Sequence, residues 1–382
     1  MAALARAEEI AETVFFPAAL DVDRSDTIPK SHLDRLAEEG FYGLAGPPEY
    51  GGLTASQLAP FSRIVETLAS GCLATTFVWL QHHGAVRATA ASDRPGIREQ
   101  WTPALCRGDR RAGVVQAALR PGPSSLRAHA RHDGWVFEGD ALWVSGWGMV
   151  DTFFTAARAA DDGVVWALLD ADGSLTATPQ ELIAANASRT VAVHFDDVFV
   201  PAERVVGTAP LQPTSPDALR VNGALALAVA RRCIALLENP AGAGIPGGVA
   251  SQAFDGHGGA GGPGGGGPGG PGGPGGPGGP SDPNGPNGRS GAGDFAASLG
   301  AFRDELDACR DAIDTAEDVA GARARAADLA LRLAATLVVK QGARAILRDQ
   351  HAQRLMREAT FLLVFGTRAP IQQTLLELVS RA

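Results

Sequence analysis

The sequence predicts an α+β protein built in three successive parts: an N-terminal helical domain, a middle antiparallel β-domain and a C-terminal helical bundle. Three observations carry this. At Ala112 the helical texture gives way to short β-branched and aromatic runs. Val191, Val193 and Phe195 alternate like a half-buried strand, Val198 and Val200 continue the apolar run, and Pro201 ends it by fixing φ and removing a donor. Near Pro216 helical spacing resumes, and a Gly/Pro-rich tract interrupts it. The domains expected are residues 1–110, 111–208 and 209–382, with a disordered linker at about 239–294.

Residues 2–110 read as helices. Ser31 with Asp34 suggests an N-cap and Gly40 a C′ stop. Thr54 or Ser56 could cap a second helix running to about Ser70. Residues 73–91 form a third, and Pro95 to Leu105 a fourth closed by Gly108. In the middle part, VVQAAL, WVFEGDALWVS, DTFFTAAR and VVWALLD read as strands, with turn signals at Asp133-Gly134 and Asp162-Gly163. Residues 216–238 return to helix. The Gly-Gly-Pro repeat that follows reads as a solvated linker. A tenfold longer loop costs only about 2 kcal/mol in closure entropy, which a helical bundle can carry. Leu299, Phe302, Leu306, Cys309 and Ile313 then recur at spacings of three and four. Further helices are expected at about 322–348, 352–364 and 369–381.

Bulk properties narrow the function classes. A net charge of −9 with no Lys/Arg run excludes a nucleic-acid footprint and a polybasic membrane contact. No apolar run reaches the roughly 18 residues of a membrane span. Cys72, Cys106, Cys233 and Cys309 are dispersed with no CxxC pair, which argues against a metal site and for free thiols in a reducing cytoplasm. Glu8 and Glu9 stand where a signal peptide would be apolar.

The segment 191–207, VAVHFDDVFVPAERVVG, resembles the end of the middle domain of the acyl-CoA dehydrogenase family. Phe41-Tyr42-Gly43-Leu44 through Pro48-Glu49-Tyr50-Gly51-Gly52 is similar to the family's G-x-x-G-x-x-x-P-E-x-Y-G-G turn, and residues 351–359 to its P-x-E/Q-R-x-x-R-D/E-A helix start. The resemblance covers nearly the whole chain outside the linker. It implies an FAD-linked oxidoreductase acting on the CH–CH group of an acyl thioester such as an acyl-CoA, forming a homo-oligomer or a hetero-oligomer with a dehydrogenase paralogue.

The family's residues carry over unevenly. Trp143-Val144-Ser145 stands where the family has W-I-T or W-I-S, so the resemblance implies a ring packed by the isoalloxazine and a hydroxyl near flavin N5. A flat ring and a hydroxyl suit those tasks, and both residues also suit ordinary sheet positions. Ala118-Leu119-Arg120-Pro121-Gly122-Pro123-Ser124-Ser125 replaces A-L/M-T-E-P-x-x-G-S-D. Leu119 then falls to the cofactor and Arg120, Ser124 and Ser125 to the substrate, while Arg120 is equally a solvated cation. Of the family's Gly-Gly-x-Gly turn only Gly342 is kept, and its R-F-G segment has no counterpart.

The usual base is missing. The family's Y-E-G-T reads Val364-Phe365-Gly366-Thr367, and the alternative position on the first C-terminal helix reads Ala218-Leu219-Arg220-Val221. His82 and His83 are the remaining candidates for proton transfer, against a plain reading in which one is buried and hydrogen-bonded and the other exposed. Glu358 and Asp151 match structural positions. Two other functions fit: a catalytically impaired, base-less partner subunit of a heteromeric dehydrogenase, and a flavin-dependent monooxygenase on the same fold.

Overall fold

The computed structural model describes residues 2–53, 58–120, 122–172, 175–212, 215–239 and 287–380. The expected Thr54 or Ser56 cap and most of the Gly/Pro tract lie outside the described residues.

The N-terminal part opens with α1 (Ala2–Ile10), a π-helical turn at Ala11–Phe15 and α2 (Phe16–Arg24), then α3 (Lys30–Glu38). The pair α4 (Leu58–Gly71) and α5 (Leu73–Ala90) follows, and α6 (Pro95–Arg107) closes the part. Gly40 and Gly108 take φ of 74° and 75°, the left-handed conformation that stops a helix at low cost for glycine. Ser31 is not the N-cap of α3. Pro29 holds that place, and Asp34 is drawn instead to Lys30 and to the Arg111 guanidinium, 2.5 Å away.

Helix α5 is apolar on nearly every side because it lies between two cores. One face joins the helical core with Phe15, Phe41, Phe61 and Trp79. The other meets the sheet through Ala85 and Val86, which share a cluster with Trp101, Ala112 and Phe154.

Among the described residues the sheet has eight strands: β1 (Ala112–Val115), β2 (Leu126–Arg131), β3 (Gly134–Val144), β4 (Thr152–Arg158), β5 (Gly163–Asp170), β6 (Thr176–Pro179), β7 (Val191–Pro201) and β8 (Val205–Pro210). Its order is β6-β7-β3-β2-β4-β5-β8, with β1 also on β4. The sheet is mixed, not antiparallel throughout. Two reversals of direction separate β2 from β4, so these neighbours run parallel, and β1 runs parallel to β4 from Ala112 opposite Thr152 to Val115 opposite Thr155.

Two bulges shape the β3–β7 ladder. Phe137 faces Val198 and Gly139 faces Phe195, so β7 carries one extra residue around Asp196 and Asp197, where Asp197 has φ 47°. Farther on, Ala141 faces Val193 and Val144 faces Val191, so β3 carries the extra residue and Trp143 takes φ 66°. A bulge re-aims side chains at the point of insertion.

The C-terminal part consists of α7 (Pro216–Glu238), α8 (Asn287–Thr315), α9 (Val319–Gln341), α10 (His351–Val364) and α11 (Ala369–Val379). Ser215 caps α7 by accepting from Ala218 N–H at 3.2 Å. Helix α9 ends earlier than its spacing predicts, because Gly342 turns to φ 69° and a short 3₁₀ turn runs to Ile346. Among the described residues no helix is long and apolar enough to cross a membrane, and no group of three or more His, Cys, Asp or Glu is placed to hold a metal ion.

Candidate functional site

The second bulge lifts Trp143 out of the sheet. The residue is 53% exposed, while Val144 and Ser145 beside it are buried. A tryptophan held at positive φ and left half in solvent is strained, and such residues gather where a surface is used for something. The opposing turn is strained at both ends, with Ala185 at φ 53° and Arg189 at φ 44°. Gly146 N–H donates to Ser188 O at 2.7 Å and ties this turn to the end of β3. Ser145 Oγ lies 2.7 Å from Thr190 Oγ1, which lies 2.8 Å from Ser188 Oγ. Ser145 is among the residues expected from the sequence; Thr190 and Ser188 are not. Their signal was faint: two hydroxyls flanking Arg189 just before an alternating strand.

The turn after β1 is held from below. Ala117–Leu119 forms a 3₁₀ turn. The buried Arg158 guanidinium donates to Ala118 O at 2.6 Å and Arg120 O at 3.3 Å. Leu119 is half-buried against Ala118, Ala156 and Val164, so it packs on β4 and β5 of the sheet. Arg120 is exposed, and among the described residues its guanidinium has neither hydrogen bond nor ion pair. Ser124 is occupied locally: Oγ donates to Leu126 O at 2.8 Å and accepts from Leu126 N–H at 3.2 Å. Ser125 is exposed. Gly342 is exposed at the end of α9, and a side chain added there would meet nothing within 4 Å.

The segment 364–367 turns at Gly366, which has φ 61°. Phe365 packs edge-on against Phe77 of α5, with ring centres 5.0 Å apart, and stacks on Phe361 of α10 at 5.3 Å. An aromatic cluster therefore fills the place that the resemblance reserves for a carboxylate. The next residue, Arg368, is half-buried, and among the described residues its guanidinium donates only to Thr367 O. Burial, and then the charge of Arg120, pull its pKa down. The two cations are thus near enough to repel, and among the described residues neither has a carboxylate partner.

The histidines are not arranged as expected: both are buried, each 1% exposed. Ala112 N–H donates to His82 Nδ1 at 3.0 Å, which makes Nε2 the protonated nitrogen that donates to Leu105 O at 3.1 Å. His83 Nε2 lies 3.1 Å from Phe41 O, with Trp79 and Phe61 edge-on to the ring. Burial pushes His83 down to about 4 and His82 well below its ordinary value. Both rings lock α5 to α6, β1 and the Phe41 turn. Glu358 and Asp151 are likewise engaged, Glu358 with Arg354 at 2.7 Å and Asp151 with Arg111 N–H at 2.7 Å.

Residues 2–109 match the family model described as acyl-CoA dehydrogenase, N-terminal domain. The helix–sheet–helix architecture around this site is that of solved acyl-CoA dehydrogenases. Residues 2–109 thus carry the N-terminal domain of the acyl-CoA dehydrogenase family, and the rest of the chain shares that family's fold. It is 26% identical over 168 residues to a 3-sulfinopropanoyl-CoA desulfinase of Cupriavidus necator, covering 42% of this chain and 41% of that protein. It is 25% identical over 212 residues to a short-chain-specific acyl-CoA dehydrogenase of Clostridium acetobutylicum, covering 52% and 55%. These matches thus span about two-fifths to just over half of the curated relatives' length. Fold similarity runs further. A glutaryl-CoA dehydrogenase of Mycobacterium smegmatis in complex with FADH2 aligns with TM-score 0.74 at 16% identity, over 100% of this chain and 94% of the other. The butyryl-CoA dehydrogenase of Megasphaera elsdenii aligns with TM-score 0.71 at 16% identity, over 100% and 97%. At such identities the likeness to the acyl-CoA dehydrogenases of known structure is one of fold.

Proposed function

We propose that the protein is an FAD-linked oxidoreductase scaffold of the acyl-CoA dehydrogenase type that takes an acyl thioester. The observation that carries this is the end of β3, where a bulge presents the half-exposed Trp143 ring two residues before the buried Ser145 hydroxyl. Those residues fit a flavin: the indole offers a stacking face and the hydroxyl a hydrogen-bonding partner for a ring nitrogen. The open backbone at Gly342 leaves room for close approach of a cofactor chain. When bound, the flavin supplies a hydride acceptor. Arg120 and Arg368 supply unneutralised charge for the anionic parts of a thioester substrate, a reading favoured by the acyl-CoA compounds in the names of the relatives.

A second reading is favoured by Phe365. With Phe77 and Phe361 it fills the base position with apolar surface, and His82 and His83 are spent on backbone bonds. General base catalysis is worth about 10²–10⁴-fold. A chain of this kind suits the role of a base-less subunit completed by an active dehydrogenase paralogue.

The test is flavin content. The purified chain is expected to take up FAD and turn yellow, with absorbance that bleaches slowly or not at all on adding acyl-CoA. A chain that takes up no FAD overturns the first reading. A homo-oligomer that rapidly dehydrogenates acyl-CoA overturns the second.

A further inference from the structure

Behind Trp143, three hydroxyl groups form a continuous chain: Ser145 Oγ, Thr190 Oγ1 and Ser188 Oγ, at 2.7 and 2.8 Å. Residues 145 and 190 are brought together by the ladder, where Val144 faces Val191, and by the Gly146 to Ser188 backbone bond. All three side chains are buried, with Ser188 wholly so.

Each hydroxyl has one hydrogen, so the chain can be ordered in two ways. In the first, Ser188 donates to Thr190, Thr190 donates to Ser145, and the hydrogen of Ser145 points out of the chain. In the second, Ser145 donates to Thr190 and Thr190 to Ser188, and the hydrogen of Ser188 is left over. Among the described residues the Ser188 hydroxyl has no partner except Thr190. Ser145 likewise has no partner except Thr190, so each order leaves one buried O–H over, and the order is set by whichever end meets an outside acceptor. An acceptor placed against Ser145, as the proposed flavin ring would be, selects the first order. That order also strengthens the outward hydrogen bond of Ser145, because successive hydroxyls polarise one another.

We propose that Thr190, reinforced by Ser188, is a positioning residue that fixes Ser145 as an outward hydrogen-bond donor. The inference rests on the reading that a flavin ring lies against Trp143 and Ser145. Flavin N5 offers a lone pair in the oxidised form and carries a hydrogen in the fully reduced form. A fixed donor matches the first and opposes the second. The hydroxyl chain thus favours the oxidised cofactor and lowers its reduction potential.

The experiment compares FAD-loaded wild type with Thr190→Val, Thr190→Ser and Ser188→Ala, reading the midpoint potential by dye equilibration and the visible spectrum. Thr190→Val removes the bond that orients the Ser145 hydroxyl, so Ser145 can turn a lone pair towards a reduced N5–H, and the potential is expected to move positive. Ser188→Ala leaves Thr190 donating and loses only the polarisation, so it moves less in the same direction. Thr190→Ser keeps the hydroxyl and the wild-type potential. Thr190→Val in a Ser145→Ala background is expected to add nothing, which separates positioning from a general effect on packing. Wild type that takes up no FAD defeats the reading of the site, and this inference with it. Uptake with the potential of Thr190→Val unmoved, or moved negative, overturns the inference alone.

Discussion

Arg323, wholly buried on α9, donates to the main-chain carbonyl of Phe365 at 2.6 Å, and the same nitrogen reaches Leu362 O at 2.7 Å. One guanidinium thus satisfies carbonyls at the end of α10 and sets where the chain turns into 364–367. Among the described residues the cation has no carboxylate partner, and burial pulls its pKa down to about 10. Arg323→Ala removes the donor, leaves a cavity and strands two carbonyls. Urea unfolding is expected to show a loss of about 3 kcal/mol or more. A loss under about 0.5 kcal/mol, the range of surface substitutions, would show that the cap is dispensable.

Phe365 is the substitution that separates scaffold from chemistry. Phe365→Glu places a carboxylate among Phe77 and Phe361, a half-buried setting that raises a carboxyl pKa and suits a base. With FAD bound, anaerobic reduction by acyl-CoA is expected to quicken by about 10²-fold or more. The same background rate in variant and wild type would refute the assignment of the base position to Phe365.

The buried histidines make stability depend on pH. His83 is held down to about 4 by burial, and His351 to about 3 by burial and then by Arg354 and Arg232 beside it. In the unfolded chain they titrate near 6.5, so between those values the unfolded state binds more protons. Their contribution is complete above about pH 6.5 and is lost as pH falls towards 4 for His83 and towards 3 for His351. Tm is expected to drop over that interval, with a shallower slope in His83→Gln. An unchanged slope in the variant would remove His83 from the account.

Arg120 and Arg368 are expected to act together on anionic substrates. Arg120→Gln and Arg368→Gln should each weaken acyl-CoA binding by about tenfold and flatten its salt dependence, with the double variant losing less than the product. Unaltered affinity by titration calorimetry in both single variants would leave the two cations without a substrate role.

Much of the fold was readable because it is local. Helices α5, α6, α7, α10 and α11 follow from spacing, with Pro near the starts of α6, α7 and α11 and Gly108 at the end of α6. The first β7 bulge was also present in the pattern: apolar residues fall at 191, 193 and 195, then at 198 and 200, and that slip of one is what an inserted residue produces. The bulge at Trp143 left no such mark, since Leu142 and Trp143 read as strand core and the structure exposes both.

The candidate site divides the same way. Trp143, Ser145 and the missing carboxylate at 364–367 are matters of residue type at a motif position, and the amino-acid order alone determines them. The parallel pairing of β1 and β2 with β4, the burial of both His82 and His83, the filling of the base position by Phe77, Phe361 and Phe365, and the Ser145–Thr190–Ser188 chain were decided only by tertiary structure. Their common cause is sequence distance. Residues 45 positions apart in the case of Ser145 and Thr190 exchange a hydrogen bond because a strand register brings them together, and periodicity within a segment carries no information about which distant segment it will meet.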